Sequence, residues 1–191
     1  GVVQLDIAAN ALECSSEVIA ELVRGFWKFS HVDNGYHMVK AVVNIGNAII
    51  KKNQCNQLFE YPSFDPSVMV EYFNVWLDNK GVDINVIRNV VILLAKMIVQ
   101  LSHAVTFHIP NVVCLAKELA KWYGRDDRDM SLRQAIELLA ESIVFRYTGN
   151  GLCDLSNGQL YDLLMSFSLW YSEGGPIFSA CDCIGSVLAI R

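Results

Sequence analysis

An all-α fold of about four stacked helix pairs is what this sequence predicts, and three observations carry the prediction. The only tryptophans, Trp27, Trp76, Trp122 and Trp170, fall 49, 46 and 48 residues apart. A second series runs beside them, in which residues 38–50, 86–98, 131–143 and 177–189 align without gaps. Their third positions, Lys40, Arg88, Arg133 and Ser179, are 48, 45 and 46 residues apart. Two independent series with one period of about 47 residues match the length of a helix-pair repeat. No run of strict apolar–polar alternation bounded by hairpin signals occurs, so strands are not expected.

The elements follow from start and stop signals. An opening segment around Val2 to Cys14 has helical apolar spacing. Ser15-Ser16-Glu17 then supplies an N-cap and an acidic first turn for a helix to about Phe29. Asp33-Asn34-Gly35 interrupts it, and the next helix runs from about Tyr36 to Lys52, where two lysines suit a C-terminus. After a connection from Asn53 to Asp65, Asp65-Pro66 places proline at a first helical position, and that helix ends near Asn79-Lys80-Gly81, where the glycine suits a left-handed cap. A long helix covers about Ile84 to Thr106. Pro110 opens another that stops at Gly124. Helices at about Ser131 to Tyr147, Ser156 to Tyr171 and Pro176 to Ile190 complete the chain. Each repeat thus has a first helix A with its tryptophan near the C-terminal end, a polar turn and a second helix B. Seven residues before each tryptophan stands an apolar residue, Ala20, Met69, Leu115 or Leu163. Two turns of helix put both on one face, so each indole is expected to wedge between adjacent repeats.

Composition narrows the function classes. The apolar fraction is 53% against a usual 45–50%, and charge at 18% is below the usual quarter. Helices packed on two or three sides explain part of this. The longest stretch without acidic or basic residues, Met97 to Ala116, is long enough to cross a bilayer. Its middle holds Gln100, Ser102, His103, Thr106, His108, Pro110 and Asn111, which hydrocarbon would not tolerate, so it reads as a helix end, a turn and a helix start. No signal peptide is visible at the first residues. Six scattered cysteines (Cys14, Cys55, Cys114, Cys153, Cys181 and Cys183) and the lack of an Asn-x-Ser/Thr sequon fit an intracellular setting, cytoplasmic or mitochondrial. The net charge of −5 disfavours a mainly electrostatic grip on nucleic acid.

Ala41-Val-Val-Asn-Ile-Gly-Asn-Ala-Ile49 is similar to the Ala-x-x-x-Leu-Gly-Asn run of an armadillo third helix, and Cys183-Ile-Gly-Ser-Val-Leu188 repeats it faintly. The chain therefore resembles the armadillo/HEAT superfamily, while its two middle repeats carry Leu-Leu-Ala where the glycine would stand. Leu155 to Trp170, followed by a short turn and an apolar helix, also looks like the helix-pair repeats of octotricopeptide- and heptatricopeptide-type organellar RNA-binding proteins. This chain's repeats are longer and less basic than theirs. Either resemblance implies a non-catalytic binding scaffold.

Lys40, Arg88 and Arg133, with Ser179 at the fourth position, would line one helix-B face as a ladder for an acidic peptide or a phosphate backbone. The competing reading is solvated charge paired with nearby acids. Arg125-Asp-Asp-Arg-Asp129 clusters three acids, yet no bidentate glutamate or second acidic cluster follows, so it reads as a solvated turn. Cys181 and Cys183 are two apart on a helix and point about 200° from each other, which prevents them from sharing a metal. The histidines His31, His37, His103 and His108 stand in no metal-ligand spacing, with His103 and His108 read as caps. No phosphate-binding loop, dinucleotide fingerprint or nucleophile elbow is present. Hence no catalytic residue, metal, cofactor or small-molecule substrate is expected.

The ends carry few charges. The last helix has Asp182 alone before Arg191, and the first sixteen residues have only Asp6 and Glu13. Solenoids need polar caps, and burying roughly 500 Å² of such surface is worth about 10 kcal/mol. The ends are therefore expected to dock on a partner or to continue into more chain. Residues 1–191 read as a single repeat domain, a right-handed α-solenoid with approximate repeats 1–60, 61–108, 109–152 and 153–191. The expected role is a scaffold or adaptor subunit of a larger assembly that binds protein partners. The alternative is an RNA-contacting subunit of an organellar ribonucleoprotein such as a mitochondrial ribosome.

Overall fold

A computed structural model describes residues 16–29, 36–54, 66–79, 81–101, 109–125, 130–148, 151–171 and 174–191. Among them there are helices and turns and no strand, as the all-α expectation requires. The helices are α1 (Ser16–Phe29), α2 (Tyr36–Gln54), α3 (Pro66–Asn74), α4 (Ile84–Leu101), α5 (Ile109–Ala120), α6 (Met130–Thr148), α7 (Asn157–Leu169) and α8 (Pro176–Ile190). No helix among the described residues is long and apolar enough to cross a membrane. The charge-free stretch divides between the end of α4 and the start of α5. The opening segment, the 55–65 connection, the acidic cluster 126–129 and His31, His103 and His108 lie outside the described residues.

Local chemistry sets the ends. Glu17 stands in the first turn of α1 and Lys28 in its last, and Lys51 and Lys52 close α2, each charge matched to the nearer pole of its helix. Ser156 and Gln159 form a capping box on α7: Ser156 Oγ accepts from the Gln159 amide at 3.2 Å, and Gln159 Oε1 accepts from the Ser156 amide at 2.9 Å. Gly175 precedes α8 at φ 99°, a conformation that excludes most side chains, and Pro176 follows at the first helical position.

Three odd-numbered helices stop earlier than the sequence suggests, and for one reason. The Trp76 amide donates to the Phe73 carbonyl at 3.1 Å, Trp122 to Leu119 at 3.1 Å and Trp170 to Phe167 at 3.0 Å. Each is a bond to the third residue back, so the final turn tightens and the tryptophan lies just past the α-helix. Trp27, by contrast, lies within α1. Gly124, at φ 75°, then turns the chain beyond Trp122, whose carbonyl accepts from the Arg125 amide at 3.0 Å.

The chain divides into two compact units, residues 1–94 and 95–191, with the boundary inside α4. In the first, α1 packs on α3 and on α2. Gly46 of α2 lies beneath α4: a Cβ there would stand 2.9 Å from Val86 Cγ1 and 3.2 Å from Val90 Cγ2. Ile19, Val23, Ile45, Ile49, Met69, Phe73 and Trp76 are buried in this unit. In the second, α5 packs on α7, α6 on α8, and both α5–α6 and α7–α8 pack as hairpins. Leu119, Trp122, Leu139, Leu160, Phe167 and Ile184 are buried there. Each unit therefore lays odd helix on odd helix, and even on even.

Gly46 and Gly185 hold the same register position in the aligned segments, yet a Cβ on Gly185 meets nothing within 4 Å. Gly185→Ala should therefore stabilise the protein by about 0.5–1 kcal/mol through lower backbone entropy in the unfolded chain. Gly46→Ala should instead destabilise it by about 1–2 kcal/mol, because Val86 and Val90 are branched and cannot swing away. Urea unfolding of the two variants side by side measures the opposite signs.

Candidate docking faces

The four tryptophans occupy corresponding places at the ends of the odd helices. Trp76, Trp122 and Trp170 are buried and Trp27 is half-buried, while Ala20, Met69, Leu115 and Leu163, two turns earlier, are all buried. In the first unit the Trp27 and Trp76 rings meet edge to face with centroids 5.3 Å apart, and Trp76 Nε1 donates to the Val23 carbonyl of α1 at 3.3 Å. In the second unit Trp170 meets Tyr123, beyond the end of α5, at 5.5 Å in the same edge-to-face manner. Its Nε1 is buried without a hydrogen-bond partner among the described residues. Each second indole thus reaches back to the preceding odd helix, but only Trp76 finds an acceptor.

The helix-B positions share a place in sequence and differ in environment. Lys40 is exposed near the start of α2, and Arg88 is half-buried near the start of α4. Arg133 is half-buried near the start of α6, and its Nε donates to Glu137 Oε1 at 3.1 Å, one turn along the same helix. Ser179 Oγ donates to the Gly175 carbonyl at 3.2 Å, satisfying the first turn of α8. Lys40 and Arg88 belong to the first unit, and Arg133 and Ser179 to the second.

Further cations are tied to acids. Lys117 of α5 pairs with Asp162 of α7 at 2.9 Å, and Lys121 Nζ contacts both oxygens of the buried Glu118 at 2.7 and 2.6 Å. The hydrogen bond and charge of Asp162 hold the Lys117 ammonium above the ordinary lysine range. Arg24 pairs with Glu21 at 3.5 Å and lies 5.7 Å from the centre of the Tyr72 ring on α3.

The aligned segments also hold a stripe beside the cation position. Positions two, six, nine and thirteen lie on one helix face by their spacing of four, three and four. On α4 these are Ile87, Val91, Leu94 and Ile98, and on α6 they are Leu132, Ile136, Leu139 and Ile143, all buried. On α8 they are Phe178, Asp182, Gly185 and Ala189, of which only Gly185 is not exposed. Beside them on α7, Tyr161, Met165 and Leu169 stand one turn apart and are 58%, 66% and 43% exposed. The Tyr171 and Phe178 rings, 5.9 Å apart, join the two helices' surfaces into one patch.

Chemical groups do not converge. A cleft of about 370 Å³ near the end of α8 is lined by Tyr147, Cys153, Ile190 and Arg191 among others. The Arg191 guanidinium there already donates to the Cys153 carbonyl at 2.6 Å, the Leu155 carbonyl at 2.6 Å and Asn157 Oδ1 at 3.0 Å. Burial pushes the thiols of Cys181 and Cys183 upward and so keeps them protonated. No group of three metal-ligating side chains forms among the described residues. Compared with protein-family models, curated proteins and solved structures, the chain shows no match.

Trp76→Phe should cost more stability than Trp170→Phe, by about 1–3 kcal/mol, since the first deletes a buried hydrogen bond and the second removes an unsatisfied N–H. Parallel denaturant titrations give that difference. The raised Lys117 pKa makes its pairing fully effective at neutral pH, with the contribution lost as pH rises through the folded-state value. Lys117→Met should therefore leave a protein whose stability falls less steeply on the alkaline side, read by thermal melts across that range.

Proposed function

We propose that the chain is a right-handed solenoid of about four helix-pair repeats, related in build to the armadillo/HEAT superfamily. On this reading it acts as a non-catalytic scaffold or adaptor subunit. It binds protein partners within a larger intracellular assembly through its helix-B face and its apolar ends. Repeats of approximately 1–60, 61–108, 109–152 and 153–191 place α1–α2, α3–α4, α5–α6 and α7–α8 as the four pairs. The observation that carries the reading is the repeated packing rule: odd on odd and even on even within each unit. A helix pair that buries one face on its own partner and another on the next pair forms an extended surface suited to binding other chains.

Protein is favoured over RNA as the ligand because several basic side chains of the second unit already have carboxylate partners. Lys117, Lys121 and Arg133 contact Asp162, Glu118 and Glu137. The neighbouring carboxylate offsets each cation's charge and repels phosphate, so these positions offer a nucleic acid little net attraction. Purification of the native complex with and without nuclease tests the choice. Protein partners should persist after nuclease treatment, and Lys40→Glu together with Arg88→Glu should release them at least tenfold. Loss of the partners on nuclease treatment alone would replace this reading with the RNA-contacting one.

A further inference from the structure

We propose that the outer face of the α7–α8 hairpin seats an apolar helix from outside residues 1–191, one with β-branched residues four apart and a lysine or arginine opposite Asp182. The inference rests on the stacked-pair reading and follows from what the same register positions do elsewhere. Gly46 of α2 receives Val86 and Val90 of the next even helix, within 2.9 and 3.2 Å of where its Cβ would stand. Gly185 is its counterpart, on a face with room for an equivalent pair of branched side chains. The stripe that includes Gly185 is wholly buried on α4 and α6, and on α8 it exposes Phe178, Asp182 and Ala189. The neighbouring odd helix does the same. Lys117 of α5 and Tyr123 just beyond it meet Asp162 and Trp170 of the following pair, whereas their counterparts 48 residues on, Met165 and Tyr171, are 66% and 48% exposed. A patch with exposed Tyr161, Met165, Leu169, Tyr171 and Phe178 joined across two helices is more apolar than a solvated face requires.

Charge selects the occupant. Asp162 and Asp182 are the only charged residues on α7 and α8, and Asp162 already holds Lys117. Asp182 is left exposed in the middle of the α8 stripe. Two copies meeting face to face would bring two such carboxylates together, which disfavours a symmetric dimer. Head-to-tail stacking would need Met38 and Val42 of a second copy's α2, the counterparts of Val86 and Val90. Val42 is fully buried and Met38 half-buried inside its own unit. A helix from outside residues 1–191 that carries a basic residue satisfies both conditions.

The probe is the α4 sequence, residues 84–101, fused to a soluble carrier and titrated onto the full chain by fluorescence anisotropy. It carries Val86 and Val90 four apart and the cations Arg88 and Lys96. Saturable binding is expected, weakened at least tenfold by Phe178→Glu, and by Val86→Asp with Val90→Asp in the probe. Gly185→Ala, which favours the helix while filling the notch, should weaken binding at least threefold with the circular dichroism melt retained. Gln134→Glu on α6 should leave binding unchanged. Absence of saturable binding, binding indifferent to Phe178 and Gly185, or a self-associated chain dissolved by Phe178→Glu in ultracentrifugation would overturn the proposal. If the native complex is lost on reversing Lys40 and Arg88 but unaffected by Phe178→Glu, the scaffold reading stands and the seat does not.

Discussion

Within each unit an even helix lies against another even helix as well as beside its neighbours in sequence, so its apolar surface is hidden by more than one element. That constraint organises the rest. The apolar stripes of α4 and α6 are fully buried, and Gly46 shows how close the approach becomes, with α4 valines where a side chain would otherwise begin. A helix pair alone would leave several such residues in water, at about 1.5–3 kcal/mol for each large one. Packing of even helix on even helix within each unit is therefore a condition of folding rather than an arrangement of finished parts.

The tryptophans show how a repeated position tolerates different solutions. Trp76, Trp122 and Trp170 end their helices with the same backbone bond to the third residue back, so the placement of the indole is fixed locally. What it meets is not. Trp76 reaches Trp27 and the Val23 carbonyl, whereas Trp170 meets Tyr123 and leaves its N–H unsatisfied. A large flat side chain supplies most of its contribution through buried area, and one lost hydrogen bond is small beside that. The position can thus keep its residue while its polar contact drifts.

Legibility followed the range of the physics involved. Helix starts are readable where a short motif decides them: Pro176, after Gly175, stands at the first position of α8. The ends of α3, α5 and α7 were placed too late, because tightening of the last turn leaves no mark in composition. Equal placement of Lys40, Arg88, Arg133 and Ser179 in their helices was visible from the alignment, but their partners were not. Glu137 engages Arg133, and Gly175 engages Ser179, through side-chain geometry that spacing alone does not specify. The stripe that includes Phe178, Asp182 and Gly185 lay in the same aligned segments, one position away from the cations. Only burial separates it, since Leu139 and Gly185 look equally unremarkable as letters and differ by what stands over them.

The distribution of charge bears on why so apolar a chain would carry any ion pairs between its helices. Exposed pairs contribute about 0–1 kcal/mol, so Lys117–Asp162 and Arg24 above Tyr72 add little to stability. Their value lies in register. Both link one odd helix to the next, at the rim of contacts that are otherwise greasy and would tolerate sliding. A shift of one residue along α7 would move Asp162 about 1.5 Å along the axis and turn it by about 100°, away from Lys117. Apolar burial drives the helices together with little sense of direction, and these few charges choose among the alignments that burial alone would allow. On α8 the one charge, Asp182, stands exposed within the stripe itself, so its sign bears directly on any helix that packs there.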